Sequence, residues 1–584
     1  MNYKILFFEL LLVVSQIDCT RKTPETLIKG TVINPAANVI KIGDNSVAIT
    51  ANGKLSFYPE IKSPAFFEVS YADVYWVMYV EPGTKTEFTL TADDSISVVY
   101  EGDLKSANDY LLGSIKINYE INDFLNNNWV SVQSMNESGY ISVIDSLKRL
   151  FLVTLSSIPR EEISAEFVKL FTADVRFGFN RLIVQYPENH RMYTGEKVIL
   201  SREVQDYIDS APYDDRGMMD LSNYKSFCRS WIDFKAETEA DKNTVQENYN
   251  LKKMDAVFHV IPEMFHDQYL SDHWLSDYLY EFIFLNGLTN SVSYVRDFNS
   301  ICKTKEFTGR IDKCIRDEQE RRKDHLVKVY KTIDGLSLEA HIFSPDSLAE
   351  NEKRPAIVLF HGGGWEGGNP SWMFESARHF RNLGMVAIAA QYRLGNHRDV
   401  TVLECLDDAR DMIKWMRINS DSLHIDPNHL AAYGWSAGGH LAVSAAIFKN
   451  SAPGGMDSSP DALILFSPAV SLPTNRSWII SALGYGGDRG SINPVDHIRK
   501  GLPPAIILQG RDDTVTPLDA AQLFTDRMHK AGNYCELVIY DSVGHLFTPN
   551  TMPDYNEPSP DPEILGKATG KADEFLVKLG YIRK

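Results

Sequence analysis

At 584 residues, with 44% hydrophobic and 23% charged residues, the chain is too long for one ordinary domain and has the composition of a globular protein with substantial cores. Its formal charge of −19 excludes nucleic acid and anionic membrane surfaces as partners of the whole chain, since no basic field would attract them. In chain order, Lys4 precedes an apolar run over 5–14 that Glu9 interrupts and that is too short to span a bilayer. It reads as a secretory signal peptide over residues 1–19, which places the protein in the periplasm or cell envelope. Cys19 is a candidate lipid-attachment site. Asp18 and Gln16 depart from the residues usual at that junction, so a lipid anchor and ordinary cleavage near Cys19 both stay open.

Residues 25–105 read as a small all-β, sandwich-like module. Seven short alternating runs are predicted, over 27–33, 47–50, 55–58, 66–71, 75–80, 88–91 and 96–100. Asn52-Gly53 and Glu81-Pro82-Gly83 fall between runs as hairpin-type turns. The aromatics Phe66, Phe67, Tyr75, Trp76 and Tyr79 are expected in the core. Residues 106–325 read as a helical module, with helices over 108–124, 141–158, 162–184, 273–284 and a charged last helix over 310–325. The Trp274–Tyr280 cluster is expected to serve helix–helix packing. Beyond Cys19, the odd and sparse set Cys228, Cys302, Cys314, Cys405 and Cys535 shows neither a disulfide framework nor metal spacing. Cys302 and Cys314 are close enough in sequence to pair, and two free thiols are equally compatible with the spacing.

The front of the chain also carries a diffuse resemblance. A leader, a β-rich module ending on Val80-Glu-Pro-Gly83, and Gly102-Asp103-Leu-Lys-Ser-Ala-Asn-Asp-Tyr-Leu111 opening a helical module resemble the front half of envelope thiol-disulfide oxidoreductases of Bacteroides-type bacteria. The thioredoxin domain and its CxxC are absent, so redox chemistry does not carry over. The β and helical modules of the N-terminal half are left as candidates to contact an envelope partner.

From residue 326 apolar runs alternate with helical stretches. Runs over 356–360, 385–390, 430–433, 462–466, 505–508 and 537–540 are uniformly apolar, as strands buried on both faces are. Leu403, Leu406, Ala409, Ile413 and Met416 recur at helical spacing between them. Residues 326–584 are therefore expected to form an α/β domain with a mainly parallel sheet and helices on both faces. Gly434-Trp-Ser-Ala-Gly438 stands between a short apolar run and the Ala-rich stretch 440–448, and strand, sharp turn and helix is the setting in which a serine is raised as a nucleophile. Ser436 is the candidate nucleophile. Asp513, in Gly510-Arg-Asp-Asp513, and His545, in Gly544-His545, follow two later strands in the order Ser, Asp, His. Asp512 competes with Asp513 for the acid role, and the spacing from Gly510 with Val515 and Pro517 beyond favours Asp513. In His361-Gly-Gly-Gly-Trp365 the glycines free backbone N–H groups for an oxyanion, with Gly362 and Gly363 as donors beside Ala437. Trp365 and Trp435 flank this site as candidate substrate-binding residues, with packing beneath the elbow an equal alternative for Trp435. No metal or phosphate-loop signature accompanies them, so no cofactor is expected.

Together with Gln391-Tyr-Arg-Leu394 and Gly434-Trp-Ser-Ala-Gly-Gly-His-Leu-Ala442, these motifs resemble α/β-hydrolases of the acetyl esterase/lipase group, nearest the acetylxylan- and feruloyl-esterase-like branch. The resemblance implies the α/β-hydrolase fold and hydrolysis of carboxylic esters by a serine esterase, on small-molecule or carbohydrate ester substrates. An arylformamidase or peptidase of the same fold, or an inert envelope binding protein, are the alternatives.

Overall fold

A computed structural model describes residues 25–583 apart from 73, 93–95, 246, 347, 397–398, 449–456, 473–489, 491 and 555–557. The leader and Cys19 lie outside the described residues. The chain divides into two compact units, one taking the described residues up to Lys235 together with Pro262–Leu270, the other Ala236–Ile261 and the described residues from Ser271 onward.

The first unit opens with eight strands: β1 (Leu27–Ile33), β2 (Val39–Ile42), β3 (Asn45–Ala48), β4 (Lys54–Phe57), β5 (Ala65–Tyr71), β6 (Val74–Val80), β7 (Lys85–Ala92) and β8 (Ile96–Gly102). They form two four-stranded sheets, ordered β4-β1-β7-β8 and β3-β2-β5-β6. Ile28, Ile40, Val69, Met78 and Leu90 fill the space between them. The strand β2 was not anticipated. Both predicted hairpin turns prove to be something else: Asn52-Gly53 and Glu81-Pro82-Gly83 each carry the chain from one sheet to the other. Phe67, Trp76 and Tyr79 are buried as expected, whereas Tyr75 is 63% exposed because its strand position faces away from the facing sheet. Helices α1 (Lys105–Gln133), α2 (Glu137–Ser156), α3 (Ala165–Thr194) and α4 (Arg202–Asp209) follow. Asn108 on α1 docks onto β6 through both ends of its amide, donating to the Tyr79 carbonyl at 3.0 Å and accepting from the Tyr79 N–H at 2.7 Å.

The helical stretch is shared between the units. α5 (Tyr224–Ala240), α6 (Tyr249–Met264) and α7 (Gln268–Ile301) each have residues in both, and α8 (Lys305–Arg321) lies wholly in the second. α7 is broken at Gly287, whose φ of 79° is open to glycine at little cost. Trp274 and Tyr278 are buried among helices. Cys302 and Cys314 are buried free thiols, as are Cys228, Cys405 and Cys535.

The second unit is built on an eight-stranded sheet of β9 (Leu326–Ile333), β10 (Leu336–Phe343), β11 (Arg354–Phe360), β12 (Val386–Ala390), β13 (Ile425–Trp435), β14 (Ala462–Phe466), β15 (Ala505–Gly510) and β16 (Cys535–Tyr540), ordered β16-β15-β14-β13-β11-β12-β10-β9. The pairs from β12 through β16 are parallel, and β9 and β10 add an antiparallel edge. The expected charged helix over 310–325 stops at Arg321, and the following residues enter β9 instead. Both faces are covered. Helices α10 (Val402–Ile418), α11 (Ala437–Ile447) and α12 (Leu518–Lys530) pack with one face of the sheet, while α9 (Phe374–Asn382) and α13 (Pro562–Lys578) pack with the other. β12, β14 and β15 are buried at every position, which is why they read as unbroken apolar runs. Mixed sheet, strand order and helices on both faces make this an α/β-hydrolase fold.

Candidate active site

The sheet's parallel register sets the site. Phe360 at the end of β11 pairs with Gly434 near the end of β13, and Gly510 at the end of β15 pairs with Tyr540 at the end of β16. The loops leaving these four strands therefore emerge side by side at the carboxyl edge, where ligands of open α/β sheets bind.

Ser436 stands between β13 and α11 with φ 52° and ψ −115°, a region that costs a non-glycine residue of order 1–3 kcal/mol. Its N–H donates to the Phe466 carbonyl at 3.0 Å, and its own carbonyl accepts from His440 and Ala469. The turn is so tight that a Cβ at Gly434 would lie 2.2 Å from the Gly438 carbonyl oxygen. That is the physical content of the glycine two residues before the serine.

The buried ring of His545 joins two loops to the serine. Its Nε2 is 3.0 Å from Ser436 Oγ and its Nδ1 is 3.0 Å from Asp513 Oδ2. A carboxylate can only accept, so Nδ1 is the protonated nitrogen and Nε2 presents its lone pair to the serine hydroxyl. Asp513 is itself held from several sides. Oδ1 accepts from the N–H groups of Val515 and Thr516, and Oδ2 accepts from the Gln509 amide at 2.9 Å as well as from His545. The Thr516 hydroxyl lies 2.9 Å from Oδ2 and 3.0 Å from the Ser467 carbonyl, two acceptors for its one proton. Asp512 turns outward to the Asn550 amide at 2.8 Å and takes no part.

The loop after β11 reaches the serine from the other side. A Cβ on Gly362 would sit 3.4 Å from Ser436 Cβ, so this backbone passes directly beside the nucleophile. His361 donates its Nδ1–H to the Gly362 carbonyl at 2.7 Å. A trans peptide sets C=O and N–H on opposite sides, so fixing that carbonyl aims the Gly363 N–H the other way. Among the described residues no backbone carbonyl accepts from the N–H groups of Gly362, Gly363 or Ala437. The Ala437 N–H also opens α11, where the helix end favours negative charge. His361 stacks on Tyr392 at 4.4 Å, and the Tyr392 hydroxyl donates to the His361 carbonyl at 2.9 Å. Burial lowers the His361 ring to a pKa of about 4, keeping it a neutral donor. Arg393, next along the same segment, pairs with the buried Asp408 at 2.8 Å.

Trp365, expected at the substrate pocket, is only 1% exposed and packs edge-on against His440 in the core, because its φ of 64° turns the chain inward after the glycines. Trp435 is half-buried, its indole N–H donating to the Tyr433 hydroxyl and its ring packed with the core on the side of Phe466. Sequence reasoning passed over Gln509, Thr516, Ser467 and Asp554, which support the loops carrying Asp513 and His545. The one local signal for Asp554 is Gly544, where a Cβ would meet the Asp554 carboxylate at 2.4 Å. Among the described residues no group of three or more His, Cys, Asp or Glu side chains is placed to hold a metal ion.

Such an arrangement can deprotonate a hydroxyl and receive charge on an acyl oxygen, and several of the proteins this chain is similar to are esterases. A family model described as BD-FAE matches residues 341–462. An acetylxylan esterase of Xylanibacter ruminicola is 28% identical over 221 residues, covering 36% of this chain and 44% of that protein. The probable carboxylic ester hydrolase LipM of Mycobacterium tuberculosis is 25% identical over 207 residues, covering 31% and 48% respectively. The chain thus spans less than half the length of these curated relatives. Among solved structures, esterase 2 of Thermogutta terrifontis with bound propionate is 36% identical over 97% of its chain and 45% of this one, with a TM-score of 0.40. From about residue 341 onward this chain is thus similar to carboxylic ester hydrolases, on the α/β-hydrolase fold described above.

Proposed function

We propose that this chain is an exported serine esterase that removes acyl groups from carbohydrate or small-alcohol esters through Ser436, His545 and Asp513. The observation that carries the reading is the single imidazole bonded at 3.0 Å to a serine hydroxyl on one side and a buried carboxylate on the other. His545 Nε2 takes the Ser436 proton as Oγ attacks the ester carbonyl, and Asp513 holds the ring and stabilises the imidazolium that forms. The oxyanion receives the N–H groups of Gly362, Gly363 and Ala437, each worth on the order of 3 kcal/mol of transition-state stabilisation. His545 returns the proton to the leaving alcohol. Water, activated by the same nitrogen, then releases the acid from the acyl-enzyme.

Carbohydrate as the alcohol component is supported by the name of the Xylanibacter relative. Export is supported by the sequence of residues 1–19, with Cys19 as the lipid-attachment candidate, and residues 25–235 are the part left to contact an envelope partner. The direct test is hydrolysis of p-nitrophenyl acetate and of acetylated xylan by wild type and Ser436→Ala, with fluorophosphonate labelling of both. Wild type should turn over and label, and the variant should do neither. Undiminished turnover by Ser436→Ala sinks the assignment, and turnover of p-nitrophenyl acetate without release of acetate from xylan removes the carbohydrate reading alone.

A further inference from the structure

The segment that carries His545 leaves β16 and folds back on itself, the Gly544 N–H donating to the Thr548 carbonyl at 2.7 Å and Val543 bridging Pro549, and two side chains fasten it further. The Leu546 N–H donates to Ser467 Oγ at 3.1 Å, and the N–H of His545 itself donates to Asp554 Oδ2 at 2.9 Å. The same carboxylate reaches the other loop of the site. Asp554 Oδ2 also accepts from the Thr514 N–H at 2.9 Å, and Oδ1 accepts from the Thr514 hydroxyl at 2.5 Å. Thr514 is the neighbour of Asp513. One buried side chain, 5% exposed, therefore ties the backbone of the base to the backbone beside the acid. Gly544 has no room for a Cβ because Asp554 occupies that space.

We propose that Asp554 is a second acidic residue of this catalytic apparatus, a positioning residue that sets the Asp513–His545 approach and adds a negative charge beside the imidazolium formed in each acyl-transfer step. Burial works against its ionisation, but the hydrogen bonds from Thr514 and His545 outweigh this, and the carboxyl is held below its usual range. The charges that face His545 are Asp513 from the loop after β15 and Asp554 from its own loop. Asp512 is turned to Asn550, and Arg511 is paired with Asp541 away from the ring. Removing one of two facing negative charges must lower the pH at which the imidazole loses its proton, because an opposite charge favours the charged form.

The inference rests on the triad proposed above, and its test separates the two. On full-length protein, kcat/KM for p-nitrophenyl acetate is followed against pH for wild type, Asp554→Asn and Thr514→Val. Asp554→Asn keeps the shape and loses the charge. It should move the acid limb down by about one pH unit and lower kcat by about 10- to 100-fold, with KM changed less than kcat. Thr514→Val removes one hydrogen bond and no charge, so it should lower kcat with the acid limb unmoved. An acid limb unmoved in Asp554→Asn overturns the proposal. If Asp554→Asn does not fold, Asp554→Ser, smaller and likewise uncharged, replaces it: an acid limb moved down with reduced kcat supports the role, and an acid limb unmoved overturns it. A wild type whose turnover survives Ser436→Ala is instead a failure of the triad.

Discussion

Gly438 and the carbonyl of Phe360 are packed so closely that a Cβ on Gly438 would lie 2.1 Å from the Phe360 oxygen. This contact joins the first turn of α11 to the end of β11, and so joins the nucleophile's elbow to the loop beginning at His361. Backbone cannot yield as a flexible side-chain tip can. Gly438→Ala should therefore separate Ser436 from the Gly362–Gly363 segment, with an overpacking cost of about 1–3 kcal/mol. The expected outcome is loss of most esterase turnover with the variant still folded. A Tm lowered by several degrees in calorimetry and near-zero hydrolysis of p-nitrophenyl acetate would show it; wild-type turnover would mean that the two loops move independently.

Much of the second unit was legible because burial on both faces writes itself into sequence. The run 462–466 coincides with β14, and strands at 356–360 and 505–508 differ from β11 and β15 only at their ends. The elbow and the Asp and His loops were legible because their glycines mark backbone contacts that tolerate no side chain. What stayed hidden depends on partners far along the chain. β9 carries Lys328 and Lys331 at a sheet edge, and β10 buries Glu339 and His341, so neither shows an apolar run. The burial of Glu339 makes sense only once Arg322 is opposite it. Asn52-Gly53 announced a turn, but which sheet each flanking strand joins is not a local property. Trp365 looked like a pocket residue because the sequence does not say which way a chain with positive φ turns it.

Adjacent carboxylates with opposite fates give a sharp test of the acid assignment. Asp513 is buried and receives the His545 Nδ1–H, while Asp512 faces the Asn550 amide at the surface. Asp513→Asn keeps the volume but presents an amide that does not enforce the required tautomer, and should lower kcat by on the order of 10⁴-fold. Asp512→Asn should stay within about 3-fold of wild type, since it breaks one exposed hydrogen bond. Steady-state kinetics at pH 8 decides it, and a large effect from Asp512 would transfer the role.

Two buried imidazoles tie stability to acidity. Desolvation lowers both His361 and His440 to about 4, and each remains neutral while donating to a carbonyl, Gly362 for one and Ile492 for the other. In the unfolded chain a histidine titrates near 6.5. Between pH 6.5 and about 4 the unfolded state thus holds more protons than the folded state, so stability falls as pH falls through this window and is fully present above it. Calorimetric unfolding at pH 5 in buffers of different ionisation enthalpy should show net proton uptake. His440→Gln, which retains a donor for the Ile492 carbonyl, should take up about one proton fewer. Equal uptake in the two proteins would mean that His440 is charged in the folded state.

The buried pair of Arg322 and Glu339 fastens the end of α8 to strand β10. Two guanidinium nitrogens lie 3.0 and 3.2 Å from the two carboxylate oxygens, the Thr289 hydroxyl donates to the same carboxylate, and the two side chains are 15% and 1% exposed. The Glu339 N–H in turn donates to Gln391, the neighbour of the Tyr392 that stacks on His361. Removing the negative partner leaves a guanidinium in a site already stripped of water, for which Glu318 at 3.8 Å is the nearest remaining carboxylate. Glu339→Gln should therefore cost about 3–5 kcal/mol, whereas the double replacement Glu339→Met with Arg322→Leu, which leaves no orphaned charge, should cost markedly less. The order is set by desolvation: the pair's net contribution is small, but half of it is worse than none. Urea unfolding of the three proteins reads this directly, and a double variant less stable than Glu339→Gln would show that the pair stabilises the fold by attraction rather than by mutual neutralisation.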